Sequence, residues 1–207
     1  MSQTEIIKKI NELKTVAVIR GDSAEEALAI SKSAIEGGIK IIELTYTTSN
    51  VEDIFKELDI PDAIIGAGTV LDVQTARNAI LKGAKFIVSP HFDEEIARLC
   101  NRYSILYMPG CMTIKEIVNA LEFGCSIIKL FPANNFEPNM IRSIKGPLPN
   151  VEIMPTGGIN LNNIHAWIDA GAFAIGIGSD LTKAYRQNGG KGVIELAQKY
   201  QEAVRRG

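Results

Sequence analysis

The chain has 207 residues, 46% hydrophobic and 22% charged, the composition of an ordinary globular protein with room for one substantial core. Its formal net charge of −2 argues against a general affinity for nucleic acid or an anionic membrane surface. The apolar runs are strand-length and broken by charge or glycine, so none could span a bilayer.

The opening segment, MSQTEIIKKINELK, alternates charged and apolar residues at helical spacing and predicts a leading helix. It lacks the apolar block and small-residue cleavage site of a signal peptide, so a cytoplasmic protein is expected. From there a cycle repeats, in which a short β-branched run is followed by Gly, Pro, Thr or charge and then by an amphipathic stretch. The runs are TVAVIR (15–20), IKIIELTYT (39–47), AIIGAGTV (63–70), FIVSP (86–90), LYMPGC (106–111), IIKLFP (127–132), VEIMPTGGI (151–159) and AIGIGSD (174–180). Segments between them, such as SAEEALAISKSAIEGG and TIKEIVNALEFG, place apolar residues at i, i+3, i+4 and i+7, and several end in Gly. No linker or low-complexity segment interrupts the cycle. Eight strands alternating with helices predict an α/β protein, a single (β/α)8 TIM barrel over 1–207 with an extra N-terminal helix. An open doubly wound sheet would more naturally carry G-x-G-x-x-G after its first strand, where this chain reads R-G-D-S.

Cysteine usage agrees with a reducing compartment. Cys100, Cys111 and Cys125 are odd in number, widely spaced and without a C-x-x-C, so free thiols are expected. His91 and His165 stand too far apart to suggest a local ligand pair, and no metal is expected.

In such barrels chemistry lies at the C-terminal ends of the strands, which directs attention to Lys129 in I-I-K-L-F. Alternation puts Ile127, Lys129 and Phe131 on one face, and neither face of a barrel strand looks onto bulk water. Desolvation disfavours an ammonium group there, and a neutral amine can attack a ketone to form an imine. A lysine that is merely paired, or that snorkels out, is the plainer alternative. In I-K-I-I-E-L-T-Y-T the same alternation aligns Ile41, Glu43, Thr45 and Thr47, so Glu43 is expected to face the cavity of Lys129, as an acid–base or as a structural partner. The turns P-T-G-G-I (155–159) and G-I-G-S-D (176–180) end the last two runs, where barrels often bind phosphate. G-A-G-T (66–69) is expected to present Thr69 to a carboxylate.

Together these segments resemble a known family. E-L-T-Y-T (43–47), G-A-G-T-V (66–70), S-P-H (89–91), M-P-G (108–110), K-L-F-P-A (129–133) and P-T-G-G-I (155–159) resemble, in order across nearly the whole chain, the 2-keto-3-deoxy-6-phosphogluconate aldolases. That family includes bifunctional members that also cleave 4-hydroxy-2-oxoglutarate. The resemblance implies a class I lyase with no metal or other cofactor, usually a homotrimer, acting in the Entner–Doudoroff route on a phosphorylated 2-keto acid. It implies Lys129 as the Schiff-base residue and Glu43 as a proton shuttle working through a water. Thr69 is then a carboxylate ligand, Pro90 and Phe131 shape the pocket, and Gly157, Gly158, Gly178 and Ser179 meet the phosphate. One position departs from the pattern. Where the family often has arginine four residues after the glutamate, this chain has Thr47, and Arg20 is the candidate replacement cation. Its plainer reading is an ion pair with Asp22. Two further alternatives are the aldolase of the galactonate epimer and a phosphate-binding barrel without carbon–carbon chemistry.

Overall fold

The computed structural model describes residues 1–205; the last two positions of the domain expected over 1–207 lie outside them. Helix α1 (Gln3–Leu13) opens with a capping box in which Ser2 accepts from the Glu5 amide and Glu5 accepts from the Ser2 amide. It stops at Lys14, which takes a left-handed conformation with φ 59°.

Strands β1 (Thr15–Ile19), β2 (Ile41–Thr45), β3 (Ile64–Gly68), β4 (Phe86–Val88), β5 (Leu106–Met108) and β9 (Ile175–Ile177) pair in the order β5-β4-β3-β2-β1-β9. Strands β6 (Gly110–Cys111), β7 (Ile127–Leu130) and β8 (Glu152–Pro155) form a second sheet. All the ladders are parallel. The chain therefore forms an α/β fold with a curled parallel sheet. The sequence predicts eight strands in one barrel; among the described residues nine form, in two sheets, the ninth because the run 106–111 divides at Pro109. Proline has no amide hydrogen for the ladder, although its carbonyl still accepts from the Lys129 amide at 2.9 Å. At the other seam, the Phe173 amide donates to the Ile153 carbonyl at 2.8 Å and Thr156 bridges to Gly176 in parallel register.

Between strands run α2 (Ala24–Glu36), a 3-10 helix (Val51–Leu58), α3 (Val73–Lys82), α4 (Glu94–Arg102), α5 (Ile114–Glu122), α6 (Met140–Lys145) and α7 (Ile164–Asp169), with α8 (Ser179–Arg205) closing the chain. Ser23, Asp72, Asp93 and Thr113 each accept from a first-turn amide of the following helix, which fixes helix starts close behind strand ends. Helix α8 is two helices joined at Asn188–Gly189, where the backbone is non-helical. Tyr200 from its second half donates to Asp180 at 2.8 Å and so braces its first turn.

Strand alternation sorts the apolar residues into two layers. Ile42, Leu44, Ile128 and Leu130 face outward and pack with the helices. Ile41, Ile64, Phe86, Ile127 and Met154 face inward, and Ile6 and Ile10 of α1 close that layer from below. Burying one such isoleucine contributes roughly 1.5–3 kcal/mol, so the leading helix is a structural floor. It leaves the opposite, C-terminal end of the strands for the polar residues.

Candidate active site

Lys129 and Glu43 stand one interior position above that floor, two residues beyond Ile127 and Ile41 on β7 and β2. Lys129 Nζ lies 3.4 Å from Glu43 Oε1, with the side chains 5% and 0% exposed. The second carboxylate oxygen, Oε2, is buried with no hydrogen-bond partner among the described residues. A buried charged pair carries a desolvation penalty that only good compensation offsets, and an orphaned acceptor is poor compensation. The pair is thus costly as architecture and well suited to exchanging a proton with a third group. Gly68 makes room for it: a Cβ at that position on β3 would collide with the Glu43 carboxylate. Above Glu43, buried Thr45 donates its hydroxyl to the Ile19 carbonyl at 2.8 Å and lies 3.1 Å from the Thr47 hydroxyl, pinning the end of β2 to β1.

Phe131 follows Lys129 on the same face, with Nζ 5.0 Å from its ring centroid. Its ring lines a cavity of about 450 Å³ that also takes in Arg20, Gly157, Gly158, Gly178 and Ser179. Six of the expected substrate residues therefore converge on one cavity, drawn from the ends of β1, β7, β8 and β9. Gly157 and Gly158 have φ 99° and 77°, a left-handed turn that side chains rarely adopt, and it frees their amides for an anion. Thr69 and Pro90 are not among the cavity's lining residues. Thr69 directly follows Gly68 with φ 55°, a conformation that costs a non-glycine residue about 1–3 kcal/mol and is met more often at functional sites than elsewhere. Pro90 is half-buried, with its carbonyl packed against Gly110.

The ion pair considered between Arg20 and Asp22 does not form. Asp22 is taken by Arg186, at 2.8 Å, which also reaches Glu26 at 3.4 Å. Among the described residues Arg20 makes no ion pair; its carbonyl accepts from the Thr182 hydroxyl at 3.0 Å. Burial pushes the thiols of Cys100, Cys111 and Cys125 up to about 12, so all three are inert packing residues. The residue-by-residue sequence reading missed Thr156, Thr182, Lys183 and Arg186, which complete the cavity. A signal existed for Lys183, which lies four residues beyond Ser179 in a segment that starts a helix.

Comparison with known proteins identifies the family of the chain. Residues 6–195 match the family of KDPG and KHG aldolases. The chain is 33% identical over 204 residues to the 2-dehydro-3-deoxy-6-phosphogalactonate aldolase of Escherichia coli, covering 93% of this chain and 97% of that one. It is 36% identical over 167 residues to a 2-dehydro-3-deoxy-phosphogluconate aldolase of Haemophilus influenzae, covering 79% of each. Among solved structures it resembles the KDPG aldolase of Legionella pneumophila, captured with pyruvate as a covalent carbinolamine. There the TM-score is 0.84 at 28% identity, over 93% of this chain and 96% of that one.

Proposed function

The chain belongs to the KDPG and KHG aldolase family, and from that premise we propose a class I aldolase that cleaves 2-keto-3-deoxy-6-phosphogluconate to pyruvate and glyceraldehyde 3-phosphate. It is an enzyme of the carbon–carbon lyase class, as its relatives are. The observation that carries the mechanism is the buried Lys129–Glu43 contact on the interior face of the strands, adjoining the cavity through Phe131. Lys129 Nζ, in its neutral form, adds to the C2 carbonyl; the carbinolamine loses water to give an iminium. Glu43, through a water, takes the proton of the C4 hydroxyl while the C3–C4 bond breaks. The bonding electrons pass to the iminium, leaving an enamine and releasing the aldehyde. Protonation at C3 and hydrolysis then return pyruvate and the free lysine. The covalent carbinolamine of the Legionella relative supports the first of these steps, addition to the C2 carbonyl.

In this reading Thr69 and Arg20 serve the substrate carboxylate, Pro90 and Phe131 bound the pyruvate half, and Gly157, Gly158, Gly178 and Ser179 serve the phosphate. The two sheets act as one closed eight-stranded barrel, with β5 and β6 as a single strand kinked at Pro109. The active form is a cytoplasmic homotrimer of single-domain subunits; the three free buried thiols support a reducing compartment. No described helix is long and apolar enough to cross a membrane. The galactonate epimer is the second reading, favoured by the name of the Escherichia coli relative. An assay of pyruvate release from each epimer and from 4-hydroxy-2-oxoglutarate, in buffer containing EDTA, decides among them. Cleavage of the gluconate epimer with at least tenfold higher kcat/KM supports the proposal. Preference for the galactonate epimer, or activity that returns only with added Zn²⁺ or Mg²⁺, overturns it, since the iminium serves as electron sink without a metal.

A further inference from the structure

The cavity wall carries three cations, Arg20, Lys183 and Arg186, against a single acid, Asp22. Arg186 is spent: its guanidinium spans Asp22 at 2.8 Å and Glu26 at 3.4 Å. If Arg20 answers the substrate carboxylate, Lys183 is the one remaining cation of that wall, and among the described residues it forms no ion pair within 4.0 Å. Its placement is set by the helix. Lys183 follows Ser179 by four residues in the first half of α8, so the two side chains lie on one face about one turn, roughly 5.4 Å, apart. Across the cavity the lining residue Thr156 is 5% exposed, and its buried hydroxyl, packed against Gly176, has no partner among the described residues. Buried hydroxyls are rarely left unpaired, and one beside the paired left-handed glycines 157 and 158 points to a ligand supplied from outside the chain.

We infer that Lys183 is the side-chain cation for the phosphate of the aldehyde half, and thereby sets the preference for phosphorylated over unphosphorylated 2-keto-3-deoxy acids. The inference rests on the aldolase reading above. Backbone amides of the glycine turns and the Ser179 hydroxyl fix where a phosphate sits, but they are neutral donors, and a dianion entering a partly dry pocket calls for a positive charge as well. A lysine at the rim supplies a mobile point charge without fixed hydrogen-bond geometry, which suits a group that must leave with the product aldehyde. Because Lys183 is exposed, its contribution is screened by salt.

The test compares kcat/KM for the 6-phosphorylated acid with that for its unphosphorylated counterpart, in wild type and in Lys183→Met, which keeps an apolar stem and removes the charge. The ratio of the two should fall about tenfold, mostly through KM for the phosphorylated acid. Lys183→Arg should restore most of it, and the wild-type ratio should decline from 50 to 500 mM salt while that of Lys183→Met stays nearly flat. A ratio within twofold of wild type in Lys183→Met, with pyruvate still trapped on Lys129 by borohydride, overturns the inference and leaves the aldolase reading standing. Failure of the wild type to trap pyruvate would instead remove the reading on which it rests.

Discussion

Two clusters of opposite charge meet near this site, and they differ in everything but sign. Lys129 and Glu43 lie 3.4 Å apart with almost no exposure, at the centre of the strands. Arg186 spans Asp22 and Glu26 at the rim, with Asp22 85% and Arg186 52% exposed. The rim cluster has closer geometry, yet water and salt compete with each of its contacts, so it contributes little to stability. The inner pair is longer and leaves one carboxylate oxygen without a partner among the described residues, but it lies in surroundings where charge is expensive. A buried pair with incomplete hydrogen bonding is a poor way to stabilise a fold and a good way to hold a nucleophile beside a proton acceptor. Burial, rather than distance, separates the chemical pair from the rim cluster.

The sharpest break of this comparison is Lys129→Met. It should abolish turnover and also destabilise the protein by about 3–5 kcal/mol, because Glu43 is left as an uncompensated buried charge. The double variant Lys129→Met, Glu43→Gln should recover most of that stability but none of the activity, as denaturant titration and a pyruvate-release assay would read. Glu43→Gln alone should lower kcat roughly 10²–10⁴-fold while imine formation survives at least in part. Near-wild-type turnover in that variant would take Glu43 out of the mechanism. Arg20→Ala comes next. Arg20 is exposed at the cavity rim, so its charge is partly screened and the expected loss in kcat/KM is about 5- to 30-fold, less than for a fully desolvated pair. Adding Thr47→Arg should return part of it from the neighbouring strand; a change within twofold for Arg20→Ala would end its assignment. The smallest effect is expected for Arg186→Ala, which should shift Tm by no more than about 2 °C. A larger shift would mean that the rim cluster is structural after all.

Strand positions and the two interior charges were legible in the sequence because β-alternation is local: Ile41 and Glu43, or Ile127 and Lys129, share a face by spacing alone. The family motifs add roles to those positions, but the alternation already set them on the interior face. What stayed hidden depends on non-local neighbours. Pro109 was visible, yet its division of one strand into two follows from hydrogen bonding with β7. Asp22 lies two residues from Arg20 in sequence, but its partner is Arg186 of α8, which leaves Arg20 without an ion pair among the described residues. Thr156 and Lys183 belong to the cavity only because β8, β9 and β1 come together, and no pattern within one segment announces that.

The central claim, that Lys129 is the covalent catalyst, is tested most directly by incubating the protein with pyruvate and sodium borohydride and mapping the modified peptide by mass spectrometry. The account predicts a single reduced pyruvyl adduct on Lys129, lost in Lys129→Met and retained in Glu43→Gln. An unmodified Lys129 under conditions where the enzyme turns over, or an adduct on any other lysine, would contradict it.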